Sequence, residues 1–371
     1  MAIEEAERRG AAIARVRSLL AAARTVANDP SIVDPLIRST GLSREGVTRA
    51  LRLYLETDAT DAELVALVTT ARPVSRVHVV LSANVFTAAL RALAVAWASS
   101  EHVTVRPSQR DPVFARALVY ALGDARMALA EMSDPSVVSE GEIHVYGRDE
   151  TVAAVAKAAR TGVVVRGHGA GMGVAFVDSE ASDEAAARGL AEDVVVFDQR
   201  GCLSPRLVLV EGDAARADRV AEALAANLTT LGREVPRGRL DDGERMEAAR
   251  YVEVMAFAGR VLEGEGFAIG VGEMGRPLLL PPTGRHVHVV AVGERQAARQ
   301  QLAGMARFVV AVGCEDATAA HALLEARVRV SRLGWMQRPR LDGPVDLRSL
   351  EHDISGKAGG SMPPWPDTAL R

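Results

Sequence analysis

From Arg76 onward the chain alternates short β-branched runs with amphipathic helical stretches, and no other feature restricts its fold as strongly. "RVHVVLSA" is followed by the helical "TAALRALAVAWASS", then "HVTVRPS", the helical "PVFARALVYALG", "EIHVYG", "TVAAVAKAART" and "GVVVRG". Strands joined through helices run parallel, because the crossover helix returns the chain to the end at which the previous strand began. A second series begins near residue 170: "GVAFVD", a helix over 182–192, "VVVFDQ" read as a strand, "RLVLVE", a long helix in "ADRVAEALAANLTTL", and strands in "HVHVVAV", "FVVAVG" and "VRVSRLG". The prediction is an α/β protein with two parallel-sheet units.

Ahead of the alternation, residues 3–70 are helical in pattern. "IARVRSLLAAARTV" spaces Ile13, Val16, Leu19 and Leu20 along one face, and Ser43 is placed to cap the helix that follows it. Behind it, "SGKAGGSMPPWPDTALR" reads as an irregular arm. The expected divisions are 1–70 helical, 71–166 an α/β domain, 167–345 a second α/β domain, and 346–371 the arm. A chain of 371 residues is long enough for that many cores. The net charge of −4 gives no bulk attraction to nucleic acid or an anionic membrane. Residues 36–55 have helix-turn-helix spacing, with Arg44, Arg49 and Arg52 as phosphate contacts, but acidic residues follow at once and a packed helical hairpin gives the same pattern. No nucleic-acid partner is expected. No apolar run approaches the roughly 18–20 residues of a membrane span, so no membrane partner is expected either. Two cysteines, far apart and in no metal or disulfide pattern, point to a reducing, cytoplasmic setting. His286 and His288 share a strand face without a third ligand nearby, which favours a structural role over a metal.

One cysteine stands out. Cys314 in "VVAVGCEDA" reads as a small buried hydrophobe. Cys202 follows the polar pair Asp198 and Gln199 and a glycine, and precedes Ser-Pro, flanks that present a side chain in a loop. A thiolate so placed is a nucleophile candidate.

"FDQRGCLSPR" resembles the catalytic-cysteine segment of the aldehyde dehydrogenase superfamily, and more narrowly that of the LuxC-type acyl-CoA reductases, in its Gln-x-x-Cys-x-Ser-Pro form. Three more segments resemble that family in the same order: "VHVVLSANVFTAALRALAVAWASSEHVTVRPSQRDP", "IHVYGRDETVAAV" and "RVRVSRLGWMQRPRLDG". The resemblance spans roughly residues 70–345. It implies an aldehyde-dehydrogenase-like fold, with a Rossmann-type cofactor domain, a catalytic domain carrying Cys202, and the active site between them. It implies that Cys202 attacks an acyl carbonyl and that Asn84, with the Cys202 backbone N–H, binds the resulting oxyanion. Arg106 stands at the family's lysine position beside the cofactor ribose, favouring NADP(H) over NAD(H), although all but two of the 44 basic residues are arginine. Ser108, Gly147 and Arg148 fall near adenosine and pyrophosphate.

In "RGHGAGMG", where hydrolytic relatives carry a water-activating Glu, Gly167 or His168 stands instead. The stretch is no dinucleotide fingerprint, since it does not lead from a strand into a helix. His168 is either a proton carrier or a loop histidine beside the cofactor. The expected reaction is therefore reductive: an acyl-CoA or other activated acyl group becomes an aldehyde. An acyl-phosphate reductase and a non-catalytic assembly subunit are the alternatives, and the short chain leaves a homodimer open.

Overall fold

The computed structural model describes residues 2–130, 134–324 and 327–348. Most of the arm expected at 346–371 lies outside the described residues. The chain forms two compact units. One comprises Met1–Thr40, Leu51–Ala170 and Arg340–Arg371; the other comprises Gly41–Ala50 and Gly171–Pro339.

The first unit contains α1 (Ala2–Ala27), α2 (Val33–Thr40) and, beyond α3 (Arg44–Leu53), α4 (Asp61–Thr70). Ser43 caps α3 as its spacing predicts, its hydroxyl accepting from Gly46 N at 3.1 Å. Then come β1 (Val77–Val80), α5 (Ala88–Ser99), β2 (Val103–Arg106), α6 (Val113–Leu122), β3 (Met127–Leu129), β4 (Glu142–Tyr146), α7 (Asp149–Ala158) and β5 (Val164–His168). The five strands are parallel in the order β3-β2-β1-β4-β5. Strand residues alternate between faces. Val80, Ile143, Val145 and Val165 form one apolar face, which packs on Val152 and Val155 of α7.

The opposite face of β4 and β5 is charged. The Glu142 carboxylate, 3% exposed with its residue, accepts from Arg166 Nε at 2.6 Å and Nη2 at 2.7 Å, with His144 Nε2 at 3.0 Å. Burial alone would raise the Glu142 pKa, but the hydrogen bonds from Arg166 and His144 outweigh it and hold it at about 2, against 4.5 ordinarily. The folded state thus binds this proton less readily than the unfolded one. The stabilisation is present above about pH 5 and lost as pH falls toward 2. Glu142→Gln is expected to remove about 3 kcal/mol at neutral pH. It should also flatten the acid limb of stability, read from denaturant midpoints between pH 6 and 3; an unchanged slope would contradict this account.

The second unit contains β6 (Met172–Val177), α8 (Asp183–Val195), β7 (Pro205–Val210), α9 (Ala214–Glu234), α10 (Asp242–Ala258), β8 (Gly259–Gly264) and β9 (Phe267–Gly272). It ends with β10 (His286–Ala291), α11 (Arg295–Leu302), β11 (Val309–Gly313), α12 (Ala317–Leu323) and β12 (Arg329–Ser331). Seven strands lie in the order β12-β11-β6-β7-β10-β9-β8, parallel except for the β8–β9 hairpin. Strands β6 and β10 are buried at every position, as a parallel sheet covered on both faces requires.

The strand predicted in "VVVFDQ" is not formed. Helix α8 runs through Val195, and a single left-handed turn through Phe197–Gln199 follows it. The reason is topological: β6 is flanked by β11 and β7, and β7 by β6 and β10, so neither leaves an edge for the segment that joins them. The valines instead bury on the helix, where Asp193 accepts from the backbone N–H of Gly334 at 2.6 Å and of Met336 at 2.9 Å. No helix among the described residues is long and apolar enough to cross a membrane.

Candidate active site

Cys202 lies not behind a strand but in a turn ahead of one, between the segment Val196–Gln199 and β7. Getting there takes an abrupt reversal. Phe197, Asp198 and Gln199 have φ of 54°, 49° and 61°, three left-handed residues in succession and none of them glycine. Each costs on the order of 1–2 kcal/mol, so the surroundings must enforce them. Asp198, 1% exposed, supplies part of that enforcement. Its Oδ1 accepts from Arg285 Nε at 2.9 Å and Nη2 at 2.8 Å, and its Oδ2 from Gly238 N at 2.9 Å. Its carbonyl oxygen accepts from Gly284 N at 3.0 Å.

The turn itself is closed by Ser204 N donating to Gly201 O at 3.0 Å, with Cys202 and Leu203 between them. Leu203 turns inward and is buried, while Cys202 stays partly exposed. From below, Gly173 N donates to Ser204 O at 3.1 Å. A Cβ on Gly173 would sit 2.2 Å from Leu203 O, so only glycine lets β6 approach this turn. At Gly169 the Cβ position falls 2.1 Å from the side-chain oxygen Asp149 Oδ1, so of these two glycines of "RGHGAGMG" only Gly173 is explained by close backbone packing.

Cys314 sits in the core, 1% exposed, its Sγ 3.6 Å from Asp178 Oδ2. Burial pushes its pKa up to about 12, so it is a neutral thiol at physiological pH. Neither cysteine is in a disulfide. His286 and His288 on β10 are buried; His286 Nδ1 lies 2.9 Å from Thr283 O, and burial holds His288 near 4. No group of three His, Cys, Asp or Glu placed to hold a metal occurs among the described residues.

The other predicted residues belong to the first unit. Asn84 follows β1 and is exposed, Arg106 ends β2, Ser108 lies two residues beyond it, and Gly147 and Arg148 follow β4. All stand at the carboxyl ends of adjacent parallel strands. Strand order reverses between β1 and β4, the position where open α/β sheets bind ligands. A Cβ at Gly147 would make only ordinary contact, 3.4 Å from Thr151 Cβ, so packing does not require glycine there. The first turn of α7 carries Asp149 and Glu150, which oppose a phosphate at that helix end and leave anion contact to the arginines.

His168 ends β5. Its ring stacks on Tyr146 with centroids 4.4 Å apart and planes at 8°, and its carbonyl accepts from Gly147 N at 3.2 Å. Burial lowers its pKa to about 4 despite the opposing charge of Asp346, so the ring is neutral at pH 7. In the helical hairpin, the Arg49 guanidinium is engaged by Glu192 at 2.7 Å. Sequence reasoning marked Asp198 and Gln199 only as polar flanks and missed Arg285 and Gly173.

The fold is that of the aldehyde dehydrogenases. A benzaldehyde dehydrogenase of Corynebacterium glutamicum superposes with a TM-score of 0.65 at 17% identity, over 90% of this chain and 83% of that one. An NADP-dependent glyceraldehyde-3-phosphate dehydrogenase of Bacillus halodurans gives 0.62 at 13%, over 88% and 79%. Proline utilization A gives 0.67 at 16%, over 94% of this chain and 44% of that one; the chain spans less than half of that protein. Residues 66–351 match the acyl-CoA reductase (LuxC) family, and the chain belongs to it. No curated protein matches the chain.

Proposed function

We propose that the protein reduces an acyl thioester, an acyl-CoA, to the aldehyde through a thioacyl-enzyme on Cys202, with a nicotinamide cofactor as hydride source. The observation that carries the reading is the Cys202 turn, a partly exposed thiol held in a chain of the acyl-CoA reductase family. Cys202 Sγ bonds to the acyl carbon, the carbon–sulfur bond to CoA breaks, and the departing thiol takes a proton. The cofactor, when bound, supplies a hydride to that carbon. Cleavage of the bond to Cys202 then releases aldehyde and restores the thiol. "RGHGAGMG" contains no carboxylate to activate water, which fits transfer to hydride over hydrolysis.

The residues at the carboxyl ends of β1, β2 and β4 fit a dinucleotide. Gly147 leaves room above the sheet, and Arg106, Ser108 and Arg148 offer donors to ribose and phosphates. Of the three similar structures, the benzaldehyde dehydrogenase is NAD-dependent and the glyceraldehyde-3-phosphate dehydrogenase is complexed with NADP. The charge of Arg106 favours the 2′-phosphate of NADP(H). Asn84 is the proposed side-chain donor to the oxyanion. A ring that is neutral at pH 7 and stacked on Tyr146 supports the second reading of His168, a histidine beside the cofactor, although it ends β5 and does not lie in a loop. A reducing cytoplasm suits a catalytic thiol.

The test is intact-protein mass spectrometry after incubation with a panel of acyl-CoAs and no cofactor. An acyl adduct mapping to Cys202 is expected. An adduct formed from acyl phosphates alone would select the acyl-phosphate reductase; none from either donor would leave an assembly subunit.

A further inference from the structure

We infer that Gln199 is a positioning residue for Cys202, its buried amide fixing the turn that aims the thiol at the acyl carbon. This rests on the proposed role of Cys202. Gln199 is 0% exposed, and its amide is spent wholly on backbone. Nε2 donates to Pro205 O and to His286 O, both at 2.8 Å, and Oε1 accepts from His286 N at 2.9 Å.

Pro205 opens β7 and His286 opens β10, which are neighbours in the sheet. Proline has no N–H to donate across to the next strand. The Gln199 amide meets His286 O and N at the point where the two strands begin. The same Nε2, by reaching Pro205 O, closes a ring over residues 200–204, and Cys202 is the middle of that ring. Gly173 N on Ser204 O fixes the turn from the other side.

The backbone at Gln199 argues the same way. Its φ of 61° is one that glycine adopts more readily, so a glutamine there is explained by its side chain and not by its conformation. Without the amide, the ring over Cys202 loses the side-chain bond that closes it, while the turn's own backbone bond remains. Displacement of a reacting group by about 1 Å costs about 100-fold in rate. Attack on an acyl carbon depends on that placement; alkylation by a small freely diffusing reagent does not.

The experiment compares Gln199→Met, which keeps length and loses all three bonds, with Gln199→Asn, which keeps an amide one methylene short. Two rates are read by mass spectrometry on the full chain: acylation of Cys202 by the acyl-CoA that labels the wild type, and its alkylation by iodoacetamide. Labelling of the buried Cys314 reports any loss of fold. The inference expects acylation to slow by about 10- to 100-fold, alkylation to change by no more than a few-fold, and Cys314 to stay protected. Unchanged acylation, an equal fall in both rates, or labelling of Cys314 in both variants would overturn it, the last by assigning Gln199 to stability alone. A wild type that is alkylated but never acylated would instead remove the role of Cys202, and the inference with it.

Discussion

Cys202→Ala lowers acyl-CoA-dependent oxidation of NAD(P)H by about a thousandfold or more, while leaving the fold intact; this is the largest effect expected of any single change in the chain. The size follows from the absence of a substitute. The only other thiol, Cys314, is 1% exposed, and its pKa near 12 keeps it protonated beside Asp178. The turn is held by Ser204 N on Gly201 O, by Gly173 N on Ser204 O and by the Gln199 amide on Pro205 O, and none of these bonds involves the sulfur. The variant should therefore melt within a few degrees of the wild type, and the loss is one of chemistry. The readout is the fall in absorbance of the reduced cofactor at saturating acyl-CoA, set beside a thermal melt. Retention of more than a tenth of wild-type activity would rule out Cys202 as the acyl carrier. Cys202→Ser should lose nearly as much, since a serine hydroxyl is far less ionised and a poorer attacking group at neutral pH.

Much of the architecture could be read from one line of sequence because parallel sheets announce themselves. Buried on both faces, their strands are short β-branched runs, and "RVHVVLSA", "HVTVRPS", "EIHVYG", "GVVVRG", "RLVLVE" and "HVHVVAV" each contain the strand expected of them. "VVVFDQ" misleads for the same reason. Three valines in succession carry strand propensity, but a strand also needs a neighbour, and β6 and β7 leave it none. Helix α10 and β8 escaped notice because burial there is sparse. Only Tyr251 and Met255 of α10 are buried, and β8 has no buried residue. The site divides similarly. The partial exposure of Cys202 is legible from its flanks, and the polar pair before it was visible. What that pair binds was not: Asp198 meets Arg285 across 87 residues of chain, a distance that no local spacing encodes.

That long-range pair carries the largest expected effect on stability. Arg285→Met should destabilise the second unit by about 3–5 kcal/mol, because it strands a carboxylate that has no other charged partner described within its cage. Arg285 is 3% exposed and Asp198 1%. Besides its two bonds to Asp198, Arg285 donates Nη1 to Val235 O at 2.9 Å. Burial lowers the Arg285 pKa while the Asp198 charge pulls it back, so each charge makes the other's burial tolerable. Both residues also hold left-handed backbone, Arg285 at φ 70° and Asp198 at 49°. The ion pair thus joins two strained corners, and breaking it releases strain that the turn before Cys202 depends on. Partial compensation distinguishes this account from a simple loss of packing. Asp198→Asn combined with Arg285→Met leaves no unpaired charge, and Asn still offers an oxygen to Gly238 N, now 2.9 Å from Asp198 Oδ2. The double variant should therefore be more stable than Arg285→Met alone, measured by urea denaturation at pH 7. If it is less stable by the sum of the two single losses, the pair is not coupled and its role in holding the turn fails.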